Sequence, residues 1–138
     1  MPLAPTFDIE MAARTCWMES RGEGQAGMQA VAWAIVNRHD KGKWYSGHTI
    51  AECCLMPFQF SCWNTNDVNR VEVARLPDND TVLDMCRHYV QAAMLYAGPD
   101  PTDGATHYVA DTIPLPDWAA KATQTAHIGN HLFFKDVK

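Results

Sequence analysis

In the segment Cys16-Trp17-Met18-Glu19-Ser20-Arg21-Gly22-Glu23-Gly24-Gln25, an apolar run gives way to two acids, one base and two glycines within six residues. Upstream, Asp8 to Met18 reads as a helix, with Ile9, Ala12, Ala13, Cys16 and Trp17 on one face. The closely spaced glycines stop it, because glycine is a poor helix former. Downstream, Gln25 to Arg38 reads as a second helix. Met28, Val31, Ala32, Ile35 and Val36 recur there at helical spacing and form a core-facing stripe.

Working outward, a looser aromatic link from His39 to His48 precedes Thr49-Ile50-Ala51-Glu52, a capping box that opens a short helix ended by Pro57. Phe58 to Leu76 has no clean period and reads as an ordered, aromatic-rich loop. Asp80 to Ala97 carries the strongest helical pattern, through Val82, Leu83, Cys86, Tyr89, Val90, Ala93, Met94 and Leu95, and stops at Gly98-Pro99. Thr106 to Ala110 and Ala126 to Phe134 read as short strands around a link holding Pro114 and Pro116. The expected fold class is α+β, mainly helical, with a small β element near the C-terminus.

At 138 residues and 47% hydrophobic side chains, the chain is long enough for one core and too short for two. A single domain over residues 1–138 is therefore expected. Eleven basic and sixteen acidic residues give a net charge of −5. That balance excludes general nucleic-acid binding, which needs a basic face against phosphates, and a basic anchor to an anionic membrane. No apolar run approaches the roughly 20 residues that span a bilayer. Met1 to Glu10 has neither a basic segment nor an apolar core, so no secretory signal is expected and the chain reads as made in a cytoplasm. The five cysteines, Cys16, Cys53, Cys54, Cys62 and Cys86, form no Cys-x-x-Cys pair and read as buried free thiols rather than zinc ligands.

Three clusters could carry chemistry. Glu19 sits where an apolar helix meets a glycine-rich turn, so its carboxyl can be shielded on one side and reach a cleft on the other. Desolvation raises a carboxyl pKa, which a general acid near neutral pH requires. The bland alternative is a solvated helix end with Arg21 pairing to either glutamate. Gln59-Phe60-Ser61-Cys62-Trp63-Asn64, followed by Asn66, Asp67 and Asn69, sets rings beside amides, a composition that suits sugars. The same residues also suit core aromatics and turn-forming Asn and Asp. The third cluster is His107-Tyr108, Trp118 and His127-Ile128-Gly129-Asn130-His131. A zinc site on His107, His127 and His131 is conceivable there. Histidines bonded to backbone or lining a groove are the plainer reading.

Taken in order, these clusters resemble the cell wall hydrolase family that includes the spore-cortex-lytic enzymes and many phage endolysins. Glu19-Ser20-Arg21-Gly22-Glu23, then Gly27, Val31-Ala32 and Asn37-Arg38, resemble its opening signature. Gln59-Phe60-Ser61 resembles its middle motif. His107-Tyr108 and Ile128-Gly129-Asn130-His131-Leu132-Phe133 resemble its close. The resemblance runs from about Ala12 to Phe134. It departs at Met18, where members often carry a small residue before the glutamate.

The resemblance implies a lysozyme-like fold that cuts the glycan strands of peptidoglycan, with Glu19 as catalytic acid. Glu23 then becomes a supporting or second carboxylate. Ser20, Gln59, Phe60, Ser61, Trp63, His107 and Tyr108 become substrate-binding residues. A lone glutamate suits a lytic transglycosylase and a second carboxylate a muramidase, with Asp67 and Asp111 as outside candidates after Glu23. Neither route calls for a metal or organic cofactor. The expected partner is the glycan strand alone, met by a monomer, and the expected setting is endolysin-like, in which a protein made in the cytoplasm reaches the wall after the membrane is permeabilised. Two rivals remain from other classes: a noncatalytic glycan-binding module using Trp63, Trp118 and Tyr108, and a zinc amidase or peptidase built on the histidines.

Overall fold

A computed structural model describes residues 6–56 and 59–138. Helix α1 (Thr6–Ser20) and helix α2 (Gly24–Asp40) lie where the apolar periodicity places them, each reaching a residue or two beyond the expected bounds. Between them the chain turns within three residues. Arg21 N donates to Trp17 O and Glu23 N to Ser20 O, and Gly24 takes a φ of 76° that a side chain would resist.

Helix α3 (Ile50–Leu55) opens as the capping box predicts, with Thr49 Oγ1 accepting from Glu52 N at 3.0 Å. The glutamate reaches back one residue further than expected, to His48 N. The stop assigned to Pro57 lies outside the described residues.

The stretch expected to be a loop contains a single 3₁₀ turn (Ser61–Trp63) and a helix, α4 (Val68–Ala74). This helix carries no apolar stripe to betray it, since Val73 is buried while Val68 and Val71 are exposed. Polar contacts hold it instead. Asp67 caps its first turn by accepting from Asn69 N, and Arg21 donates to Asn69 Oδ1 and Glu72 Oε2, each at 2.8 Å.

Helix α5 (Thr81–Met94) starts at the Asp80 cap, whose carboxylate accepts from Leu83 N. It ends before the expected Gly98-Pro99 stop, because Tyr96 itself takes the left-handed conformation with a φ of 52°. Helices α1, α2 and α5 pack together around Cys16, Val31, Ile35, Leu83 and Val90, all of them removed from solvent.

The tail forms three strands, not two. Strand β1 (His107–Ala110) pairs antiparallel with β3 (His131–Lys135), which pairs antiparallel with β2 (Thr123–Ile128). The expected single strand over Ala126 to Phe134 is broken into a hairpin at Gly129-Asn130. Gly129, at φ 57°, supplies the conformation that a two-residue loop demands. A short helix, α6 (Asp117–Ala120), sits in the proline-containing link.

Candidate active site

Glu19 is the penultimate residue of α1, so its side chain leaves the helix bundle where the bundle meets the sheet. It opens into a cleft of about 550 Å³. The α2 end contributes Arg38, the entry to the 3₁₀ turn contributes Gln59, Phe60 and the turn's first residue Ser61, and β1 and β3 contribute His107, Tyr108 and His131. Burial pushes the Glu19 carboxyl above the usual carboxylate range. Three neighbours partly oppose that rise: the Cys62 thiol directed at it, the positive charge of Arg38, and the Tyr108 hydroxyl. Tyr108 Oη is buried and closes no hydrogen bond within the protein. The result is an acid that keeps its proton to higher pH than a solvated glutamate and still has partners for the carboxylate it leaves behind.

Arg38 ties the two walls of the cleft together. It is 3% exposed, its Nε donates to Thr106 O at 2.7 Å and its Nη1 to Gln59 O at 3.3 Å, while its guanidinium lies 4.2 Å from the centre of the Phe60 ring. Next to it, Asn37 Nδ2 donates to Asp100 Oδ2 and Ala105 O. The Asn-Arg pair noted in the sequence is thus the joint between α2 and the approach to β1. The structural weight of Arg38 was missed, although position 38 continues the buried stripe of Val31 and Ile35. A charge on that stripe was the available signal.

His107 packs edge-on against Tyr45 and shares a hydrogen bond between its Nδ1 and Thr106 Oγ1. Burial and the nearby Arg38 charge push its pKa down to about 3, so the ring is neutral. Trp118, considered in the sequence only for a rival function, also lines the cleft, as does His131, whose groove-lining position was the plainer of its readings; Trp44, Tyr45 and Ile113 join them.

Three expected site residues do not line this cleft. Ser20 is buried and its hydroxyl donates to Cys16 O at 2.6 Å, which commits it to α1 and the core. Trp63 packs on the core and donates its indole N–H to Thr15 Oγ1, the plainer of its two readings. Glu23 lies off this cleft, in a smaller groove that Glu19 and Ser20 also line, with Oε2 accepting from Asn130 N at 3.0 Å. The outside candidates are engaged as well: Asp67 caps α4, and Asp111 bonds His127 at 2.9 Å.

Among the described residues, no three His, Cys, Asp or Glu side chains form a group that could hold a metal ion. All five cysteines are buried free thiols. The described residues also contain no helix long and apolar enough to cross a membrane.

A family model described as Cell Wall Hydrolase matches residues 22–134. A spore cortex-lytic enzyme of Halalkalibacterium halodurans is 28% identical over 126 residues, covering 91% of this chain and 34% of that protein. The chain therefore spans about a third of the length of this curated relative. The crystal structure of the catalytic domain of the Bacillus cereus SleB protein superposes with a TM-score of 0.74 at 26% identity, over 96% of this chain and 92% of that one. The catalytic domain of the germination-specific lytic transglycosylase SleB from Bacillus anthracis gives 0.72 at 27% identity, over 95% and 96%. The expected α+β, mainly helical, lysozyme-like fold is the fold observed. Glu19 lies three residues before the span matched by the family model, so its candidacy rests on the geometry of the cleft.

Proposed function

The chain belongs to the cell wall hydrolase family, and from that premise we propose that it cleaves peptidoglycan glycan strands at the β-1,4 bond between N-acetylmuramic acid and N-acetylglucosamine, as a lytic transglycosylase. The observation that carries this reading is that Glu19 is the one Asp or Glu side chain lining the cleft among the described residues, and that burial raises its pKa.

Protonated Glu19 donates to the glycosidic oxygen as the bond from that oxygen to muramoyl C1 breaks and the ring gains oxocarbenium character. The carboxylate left behind then takes the proton of the muramoyl 6-hydroxyl, whose oxygen bonds to C1. The product ends in a 1,6-anhydro ring, Glu19 regains its proton, and no water is consumed. A muramidase would require a second carboxylate in reach, and Glu23, Asp67 and Asp111 are each committed to other partners. Gln59, Phe60, Ser61, His107 and Tyr108 form the walls that hold the sugar chain.

Digestion of purified peptidoglycan in oxygen-18 water tests the proposal. Unlabelled 1,6-anhydro-muramoyl ends are expected; labelled reducing ends would mean hydrolysis instead. Glu19→Gln should lower the rate by about 10²–10⁴-fold, the usual contribution of a positioned acid. Normal wall lysis by that variant would end the assignment. A chelator should leave activity intact, whereas inhibition would revive the zinc rival.

We extend the proposal to an endolysin-like setting, with a monomer acting on the wall once the membrane is permeabilised. Co-expression with a pore-forming protein should lyse the host where either protein alone does not.

A further inference from the structure

We propose that Glu23 is the positioning residue of this site: its carboxylate clamps the Gly129-Asn130 turn and thereby fixes the sheet wall of the cleft relative to Glu19. This rests on the function proposed above and gives the two glutamates of the Glu19-Ser20-Arg21-Gly22-Glu23 segment separate tasks, the first reacting and the second holding.

The contact joins residues 107 positions apart. Glu23 Oε2 accepts from Asn130 N at 3.0 Å, and Asn130 O in turn accepts from Asp111 N at 2.9 Å, just past the end of β1. The peptide groups of this turn are therefore held from two sides, by the α1–α2 connection and by the strand that carries Tyr108. The fit around the carboxylate is close. A Cβ placed on Gly129 would stand 2.5 Å from Glu23 Oε2, and the three nearest heavy atoms it would meet all belong to Glu23. A Cβ on Gly27 would overlap the Glu23 side chain from the other side, so Glu23 lies flat on the first turn of α2.

The next residue after the turn is His131. It lines the cleft, and its ring packs 5.0 Å from that of Tyr108, whose hydroxyl faces Glu19. A displaced turn thus moves His131 and Tyr108 against an acid whose own helix does not move. Misplacement of about 1 Å around a reacting bond can cost on the order of 100-fold in rate. Because this hydrogen bond is solvent-exposed, its loss should affect the rate far more than the melting temperature.

Three single variants, one double variant and one spectroscopic readout test the clamp. Glu23→Gln keeps an oxygen acceptor for Asn130 N and should retain most of the turnover. Glu23→Ala should lower kcat about tenfold, with KM changed less and the melting temperature nearly unmoved. Gly129→Ala drives a methyl group into the carboxylate and should also lower kcat. Its backbone strain is present in both backgrounds, so adding it to Glu23→Ala should cost less than it does in the parent protein. Amide exchange read by NMR should show Asn130 N–H losing protection in Glu23→Ala and keeping it in Glu23→Gln.

Two results would overturn the clamp. If Glu23→Gln is as inactive as Glu19→Gln, Glu23 reacts rather than holds. If Glu23→Ala is fully active with Asn130 still protected, there is no clamp. Failure of the parent protein to release glycan fragments would sink the functional reading instead, and the Asn130 exchange would still report on the contact.

Discussion

Replacing Arg38 by methionine keeps an apolar stem of similar length in the core and removes the guanidinium. Thr106 O and Gln59 O, bonded at 2.7 and 3.3 Å, then lose their donor in a site that is 3% exposed. A buried carbonyl left unpaired costs about 1–2 kcal/mol, and the contact with the Phe60 ring is worth about 1 kcal/mol more. Relief from desolvating the charge offsets part of this, which leaves a net loss of about 3 kcal/mol. For a chain of this size, roughly 4 °C of melting temperature accompanies each kcal/mol, so differential scanning calorimetry should show a fall of about 12 °C. Activity should drop as well, because the guanidinium joins the Gln59-Phe60-Ser61 wall to the His107-Tyr108 wall. The charge of Arg38 also favours ionised Glu19. In the variant that acid holds its proton more tightly, and the basic limb of the pH–rate profile should move to higher pH. An unchanged or raised melting temperature would refute the reasoning, since it would mean that desolvation outweighs the hydrogen bonds. A basic limb that moved down would contradict the electrostatics.

Three further outcomes follow from the same geometry. Glu19→Gln should melt higher than the parent at pH 7: above about pH 4.5 the unfolded chain gives up this carboxyl proton more readily than the folded state does. Thermal melts should show that advantage closing by pH 4, and a variant less stable than the parent at pH 7 would contradict the burial of Glu19. His107 stays neutral in the folded state, with its pKa depressed to about 3, so below about pH 6.5 the unfolded chain takes a proton that the folded one refuses. Stability is lost as pH falls from about 6.5 towards 3. Denaturant titrations should show His107→Gln gaining about 3 kcal/mol on the parent between pH 7 and pH 4, and parallel curves would exclude the effect. Burial pushes the Cys53 thiol up to about 11 and Cys54 up to about 12, and all five cysteines are buried. Iodoacetamide at pH 8 should leave the native protein essentially unlabelled by mass and label all five thiols in guanidinium, and rapid native labelling would mean that a thiol is open to solvent.

Helices α1 and α5 were legible because burial on one face imprints a period on the sequence that needs no knowledge of the partner helix, whereas α2, buried on every side from Ala30 to Val36, showed its stripe within a longer apolar run. The Thr49 cap and the candidacy of Glu19 were legible for the same kind of reason: each depends on residues next to it in the chain. The tertiary structure decided the rest. Helix α4 carries no apolar stripe and depends on the reach of Arg21 across 48 and 51 residues to Asn69 and Glu72. The hairpin at Gly129-Asn130 was hidden inside a continuous β-type pattern. Most of all, the tasks of individual side chains were set by distant partners. Glu23 and Glu19 stand four residues apart, but one meets a backbone amide 107 residues away and the other the main cleft. Local residues fix which chemistry a segment can offer, because propensity and periodicity act over a few positions. Which carboxyl is desolvated, and which is tied to a distant amide, depends on what packing brings together from the far end of the chain.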